Sequence, residues 1–245
     1  MDWLTDPYFV LVPVSLATSV VTLFTGFGVG TVLAPLMALY FDVKVAVFLA
    51  AIVHFFNNAS RLYLYREYVD RGVFRRFGVI SIVGAFLGSY AQVLIDSASL
   101  KAGFGLFLVV YGLSQFVPAG TGFRIPRRLD PLGGFLSGLL GGLIGNQGAI
   151  RSLYLLNYRL EKKEFIASAA LIAIVIDCTR IPVYVYSMHG DLMANGALLL
   201  AVVASSVAGT VLASRVLPQV SAELFKRIVL GAVVLLGALM LAGKV

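Results

Sequence analysis

The chain has 245 residues, of which 60% are hydrophobic and only 13% charged, with a net charge of +7 and a mean hydropathy of +0.94. A soluble domain carries roughly 25% charged residues, so this composition excludes an ordinary soluble fold and places the chain in lipid. The lone Cys178 excludes an intrachain disulfide and a cysteine-cluster metal site, and inside an apolar run it reads as a small hydrophobe.

In chain order, the start Met1-Asp2-Trp3-Leu4-Thr5-Asp6 lacks the basic stretch of a cleavable signal, so the first apolar segment is expected to be retained. That segment, 8–41, is about 34 residues long, far more than the roughly 20 that cross a bilayer core. It is broken by Gly26-Phe27-Gly28-Val29-Gly30. Single-span stretches follow at 44–65, 73–95 and 100–117. A basic linker at 118–130 precedes a second broken stretch, 131–157, interrupted by Gly141-Gly142-Leu143-Ile144-Gly145-Asn146-Gln147-Gly148. Three more single spans are expected at 164–187, 192–214 and 223–243. Unwound backbone at membrane depth is tolerated only where protein or a water-filled cavity satisfies it. A matched pair of breaks is therefore the sequence signature of a transporter's substrate site.

Charge sets the topology. Lys and Arg concentrate in cytoplasmic loops, and thirteen of them fall in four loops: Arg66 to Arg76, Arg124 to Arg128, Arg159 to Lys163, and Arg215 to Arg227. Only Lys44, Lys101 and Lys244 fall in the opposite set. The loops on either side of 131–157 are both basic, so this segment begins and ends inside as a re-entrant hairpin bent at Gly145–Gly148. Parity makes 8–41 a hairpin entering from outside, bent at Gly26–Gly30, and puts both termini outside. Each half, 1–117 and 131–245, then holds one hairpin and three spans, an odd number that forces inverted orientation. The expected fold is an all-α polytopic membrane protein of two inverted repeats. The net charge is topological and implies no nucleic-acid partner.

Weak internal matches agree with duplication. Asn58-Ala59-Ser60-Arg61 matches Asp177-Cys178-Thr179-Arg180, and Gly88 matches Gly209. Small residues at four-residue spacing, such as Gly84 and Gly88 or Gly134, Gly138 and Gly142, are expected to let helix backbones approach closely.

Several polar residues lie at depth. Arg151 falls in the first turn after the second break, where a cation is unfavourable in lipid and at a helix N-terminus. An anion between the half-helix amides and the guanidinium relieves both penalties; the competing reading pairs Arg151 with Asp177 or lets it snorkel. Asp177 and Arg180, at i and i+3, share a face and neutralise each other. Asp177 is either that structural partner or a proton carrier. Arg61 either contacts substrate or snorkels. His54 either titrates near neutral pH or makes an interhelical hydrogen bond. Asn57 and Asn58 line a bundle interior. Asn146 and Gln147 offer amides at one break, and Thr25 and Thr31 offer hydroxyls at the other, where they equally serve as caps. The candidate substrate residues are thus Gly28, Gly30, Thr31, Asn57, Asn58, Arg61, Gly145, Asn146, Gln147, Gly148, Arg151 and Arg180, with His54 and Asp177 as coupling or structural groups. No nucleophile–base constellation, Walker sequence or dinucleotide fingerprint is present, so no catalysis, ATP hydrolysis, cofactor or metal is expected.

These features resemble the sulfite exporter TauE/SafE family of membrane transporters. The resemblance rests on Gly26-Phe27-Gly28-Val29-Gly30 followed by Ala34-Pro35-Leu36, the helix with Asn58 and Arg61, Gly84-Ala85-Phe86-Leu87-Gly88, and Ser137-Gly138-Leu139-Leu140-Gly141-Gly142. Asn146-Gln147 stand where that family often has glycines, and the second half has no counterpart of Pro35. The resemblance implies secondary transport of a small sulfur-containing anion, such as sulfite or a sulfonate, across a bacterial or archaeal cytoplasmic membrane. The implied partners are the anion, the lipid bilayer and a coupling ion such as H+, with a homo-oligomer compatible. A passive anion channel and a non-transporting membrane partner of an enzyme complex are the alternatives.

Overall fold

The computed structural model describes residues 6–25, 29–115, 125–215 and 222–243, and its regular elements are all helical. In chain order they are α1 Pro7–Thr25, α2 Val29–Met37, α3 Val43–Tyr65, α4 Arg71–Val73, α5 Val79–Leu94, α6 Ser97–Ser114, α7 Asp130–Ile144, α8 Gly148–Leu155, α9 Lys162–Ala194, α10 Gly196–Arg215 and α11 Ala222–Leu241. A π-helical stretch, Phe74–Gly78, joins α4 to α5. Among the described residues, five helical runs are long and apolar enough to cross a bilayer: Val43–Tyr68, Arg71–Leu94, Ser97–Ser114, Lys162–Ala194 and Gly196–Arg215. The chain is an all-α polytopic membrane protein. Gly26, Phe27 and Gly28 of the first break lie outside the described residues, as do 118–124 of the basic linker.

Local chemistry sets several helix ends. Asp42, Asp70 and Asp96 cap α3, α4 and α6 by accepting backbone N–H groups through their carboxylates. The Ser99 amide holds the exposed Asp96 carboxyl below its usual range. A carboxyl lowered on folding stabilises at neutral pH, and this contribution is lost as pH falls through the lowered value. Glu161 and Glu164 form a capping box at the start of α9. At the other end of α7, Gly145 adopts the left-handed conformation at φ 77° and stops the helix. The α9 helix runs further than the expected 164–187: only Met188 leaves helical angles (φ −133°, ψ 30°), and the chain continues helically to Ala194. His189, expected in an outer loop, therefore sits exposed on a helical extension. The polar Gly190-Asp191 pair reads as a loop, but the carbonyl of Asp191 accepts from Asn195, so the backbone there is satisfied as a helix.

At the centre α3 packs on α9. Around them α1 packs on α10, α7 on α5, and α6 on α11, while α10 also touches α3 and α5 touches α9. Exchanging the elements of the first half for those of the second carries α1/α10 onto α5/α7 and α3/α10 onto α5/α9, and returns α3/α9 and α6/α11 to themselves. The α5/α7 seam is built from glycines. A Cβ placed on Gly138 would lie 2.0 Å from the Ser81 carbonyl oxygen, and one on Gly88 would lie 2.2 Å from that of Leu139. The two backbones touch, as the small-residue spacing led us to expect. The α1/α10 seam has one such contact, Gly209 against the Leu16 carbonyl (2.6 Å to a Cβ), and adds hydroxyls: Ser15 donates to the Val202 carbonyl at 3.0 Å, and Ser205 donates to that of Val12 at 2.7 Å.

Gly138→Ala should cost about 1–3 kcal/mol, at the upper end because the obstructing atom is backbone and cannot rotate away. Gly103 has open space around it, so Gly103→Ala should be neutral or slightly stabilising. Thermal denaturation of the two purified variants checks this; equal melting temperatures would contradict the packing account.

Candidate functional site

The two breaks meet. A Cβ on Gly30, at the start of α2, would lie 3.0 Å from the Gly145 carbonyl oxygen and 3.5 Å from His54 Cδ2. Thr31 Oγ1 is 3.5 Å from Asn146 Oδ1, a long contact across the same junction. Gln147 caps α8, its carbonyl accepts from Ser137 Oγ at 2.9 Å, and Gly148 opens the helix. Gly30, Thr31, Gly145, Asn146, Gln147 and Gly148 are thus gathered at one place, and all are buried.

Beside this junction lies a polar network contributed by α3, α8, α9 and the break between α7 and α8. Asp177, fully buried on α9, is its hub. His54 Nδ1 lies 2.7 Å from Asp177 Oδ2. Because an ionised carboxylate only accepts, this contact fixes the ring proton on Nδ1. Arg180 donates to Asp177 Oδ1 from Nε at 2.9 Å, with Nη2 at 2.8 Å, and its Nη1 donates to the Gly141 carbonyl at 2.6 Å. Gln147 bridges outward. Its Nε2 donates to Asp177 Oδ1 at 3.1 Å, while its Oε1 accepts from Arg151 Nη1 at 3.2 Å. Both contacts demand the same amide orientation, carbonyl to cation and NH2 to carboxylate. Tyr184 OH donates to the Gly142 carbonyl and pins α9 to the end of α7.

The arginines divide into two kinds. Arg180, expected among the anion ligands, has its guanidinium taken up by Asp177 and Gly141. Among the described residues Arg151 and Arg61 make no direct ion pair with a carboxylate. Arg151 is 3% exposed and its Nε is unpaired. Arg61 is 7% exposed, donates from Nη2 to Thr22 Oγ1 on α1, and also has an unpaired Nε. Each is close enough for Arg151 to act electrostatically on Arg61. Asp177, the competing partner read for Arg151, is linked to it through Gln147 and acts on it electrostatically without a direct ion pair. Arg61 and Arg151 are buried guanidiniums with unused N–H groups and no directly bonded carboxylate, and leaving such charges incompletely compensated is costly.

Two expected site residues turn elsewhere. Asn57 Nδ2 lies within 3.0 Å of Ser19, Ser206 and Thr210 hydroxyls, forming a polar junction of α1, α3 and α10. Asn58 donates to the His54 carbonyl on its own helix at 2.8 Å. Gly28 lies outside the described residues. Thr22 entered through the structure alone; its one sequence signal is a hydroxyl in the apolar run just before the first break.

Neither curated proteins nor solved structures give a match to the chain. Residues 11–240 match the family described as Sulfite exporter TauE/SafE. That span covers the whole arrangement above, from the first hairpin to the last helix, and the chain belongs to the sulfite exporter TauE/SafE family of membrane transporters.

Proposed function

We propose that this chain is a secondary transporter that moves a small sulfur-containing anion, sulfite or a sulfonate, across a bacterial or archaeal cytoplasmic membrane by alternating access. The anion sits between Arg61 of the first half and Arg151 of the second, with the start of α8 contributing backbone amides. The observation that carries this reading is the pair of buried arginines with unpaired Nε atoms and, among the described residues, no direct ion pair to a carboxylate. Arg61 lies one turn before the end of α3, and Arg151, in the first turn of α8, reaches back to Gln147 at the second break.

Two inverted repeats, 1–117 and 131–245, with both termini outside, form the moving parts. The interchange of helix pairs between the halves supports this, as does the charge parity of the loops. A transporter built this way holds its substrate at the repeat interface and rocks one unit against the other.

Purified protein in proteoliposomes should show saturable uptake of at least one of sulfite, sulfate, thiosulfate or a short sulfonate. The same ligand should raise the melting temperature, since only a ligand that prefers the folded state stabilises it. Flux that grows linearly with concentration would indicate a channel, and absence of both flux and stabilisation would overturn the reading.

A further inference from the structure

We infer that the site takes a dianion together with one proton, and that the proton sits on Nε2 of His54. This inference rests on the Arg61/Arg151 reading above and adds the charge state of the substrate and the way it is coupled.

The charge balance of the buried network comes first. Arg61, Arg151 and Arg180 are buried, and Asp177 is the carboxylate set against them. Three guanidiniums against one carboxylate leave two positive charges in a region shielded from water. Buried charge left unmatched is destabilising, so the empty site is poised for two negative charges rather than one. A monoanion such as a sulfonate would leave one positive charge before any proton binds, whereas a dianion leaves none to oppose the proton.

His54 enters because of where its second nitrogen lies. Nδ1 carries its hydrogen toward Asp177, so a further proton must go to Nε2. That atom is bonded to Cδ2, the ring carbon that faces Gly30 at the start of α2, and the ring's contacts to Asp177 and Gln147 both fall on Nδ1. The charged groups acting on the ring are Asp177 and Arg180 of α9 and Arg151 of α8. Arg61, on the ring's own helix, acts in turn on Arg151's side of the cluster. The described parts of α1, α2 and α10 carry no acid or base near the ring's level: their only titratable side chains are Tyr8 and Arg215, at far ends. Lys101 and Tyr111 of α6 are not among the groups that act on it.

In the empty protein a proton on His54 would add a third positive charge to a cluster that already carries two. With a dianion between Arg61 and Arg151, that opposition is removed. Gln147 makes the link physical, because it holds Arg151 with its carbonyl and Asp177 with its NH2. Each ligand therefore favours the other by the same factor. The proton adds to the Nε2 lone pair and leaves by the same atom, so dianion and proton move together.

The test uses the full-length protein in detergent, titrated calorimetrically with thiosulfate, which stays doubly charged from about pH 6 to 8, the range where histidine titrates. Bis-Tris and imidazole serve as buffers of different ionisation enthalpy, since sulfonate buffers would compete. The expected result is uptake of close to one proton per thiosulfate on the alkaline side of this range, with affinity falling up to about tenfold per pH unit. Methanesulfonate, singly charged, should bind about tenfold or more weakly. In His54→Asn, which keeps a donor toward Asp177 but cannot be protonated, proton uptake should vanish and thiosulfate affinity should no longer change with pH. His54→Gln provides a second replacement should that variant fold poorly. Saturable thiosulfate binding by the wild type with no proton uptake overturns this inference alone. So does proton uptake that persists in both variants. Absence of any anion binding overturns it together with the reading on which it rests.

Discussion

Arg61→Gln and Arg151→Gln each cut anion flux by about 100-fold or more, while the empty protein melts at the same temperature as the wild type or higher. The first half of this expectation follows from hydrogen-bond energetics. A hydrogen bond to a charged group contributes about 1.5–3 kcal/mol, and loss of a guanidinium's two contacts amounts to about 100-fold in affinity. The second half follows from burial. Both arginines are buried cations with unpaired Nε atoms and, among the described residues, no direct ion pair, so neutralising either one removes charge that the empty fold must tolerate. Glutamine at 61 still reaches toward Thr22, and glutamine at 151 still reaches toward Gln147. Loss of function with no loss of stability is the signature of a ligand site. Proteoliposome flux, paired with melting curves with and without thiosulfate, measures both. Unchanged flux in both variants would remove these residues from the anion site.

Asp177→Asn has the opposite signature. It removes the carboxylate around which His54, Gln147 and Arg180 are arranged. Arg180 is 1% exposed and its Nε and Nη2 are aimed at that carboxylate. Breaking a buried ion pair by removing one partner costs about 3–5 kcal/mol, because the other charge is left stranded. We expect a large fall in melting temperature with or without anion. The double variant Asp177→Asn/Arg180→Gln should recover part of the loss, since neither charge then remains; additive losses would mean that the two do not act as a pair. A wild-type melting temperature in Asp177→Asn would refute the central role given to this carboxylate.

Much of this architecture is visible along the chain. The breaks announce themselves as glycine runs in apolar sequence, and the left-handed Gly145 sits inside the second of them. The Asp177–Arg180 pair is legible because both residues belong to one helix, where i and i+3 share a face. The α5/α7 seam is legible because close backbone contact requires small residues at a fixed spacing. What escaped are contacts between residues far apart in sequence. His54 and Asp177 are 123 residues apart, and only the crossing of α3 over α9 brings them together. Gln147 looks like a cap at a break, yet its side chain spans two charged groups. Asn57 and Arg61 lie one turn apart on α3, but one turns to the hydroxyls of α1 and α10 and the other toward Arg151, a division no single-helix pattern encodes. The length of α9 was missed because a polar pair after an apolar run has the composition of a loop, whatever its backbone does.

The seams α1/α10 and α5/α7 correspond under exchange of the halves, yet glycine contacts run along α5/α7 while α1/α10 has one, at Gly209, and is held mainly by hydroxyls. Where glycine backbones touch, as at Gly138 and Ser81, any displacement meets a hard wall on one side and lost dispersion on the other. Hydroxyls such as Ser15 and Ser205 can exchange one carbonyl acceptor for the next along a helix while staying bonded. In mechanical terms the first seam is a weld and the second a bearing. In the proposed rocking of the halves, sliding of packed helices would then fall at α1/α10, so a cross-link there should arrest transport while one across α5/α7 leaves it intact.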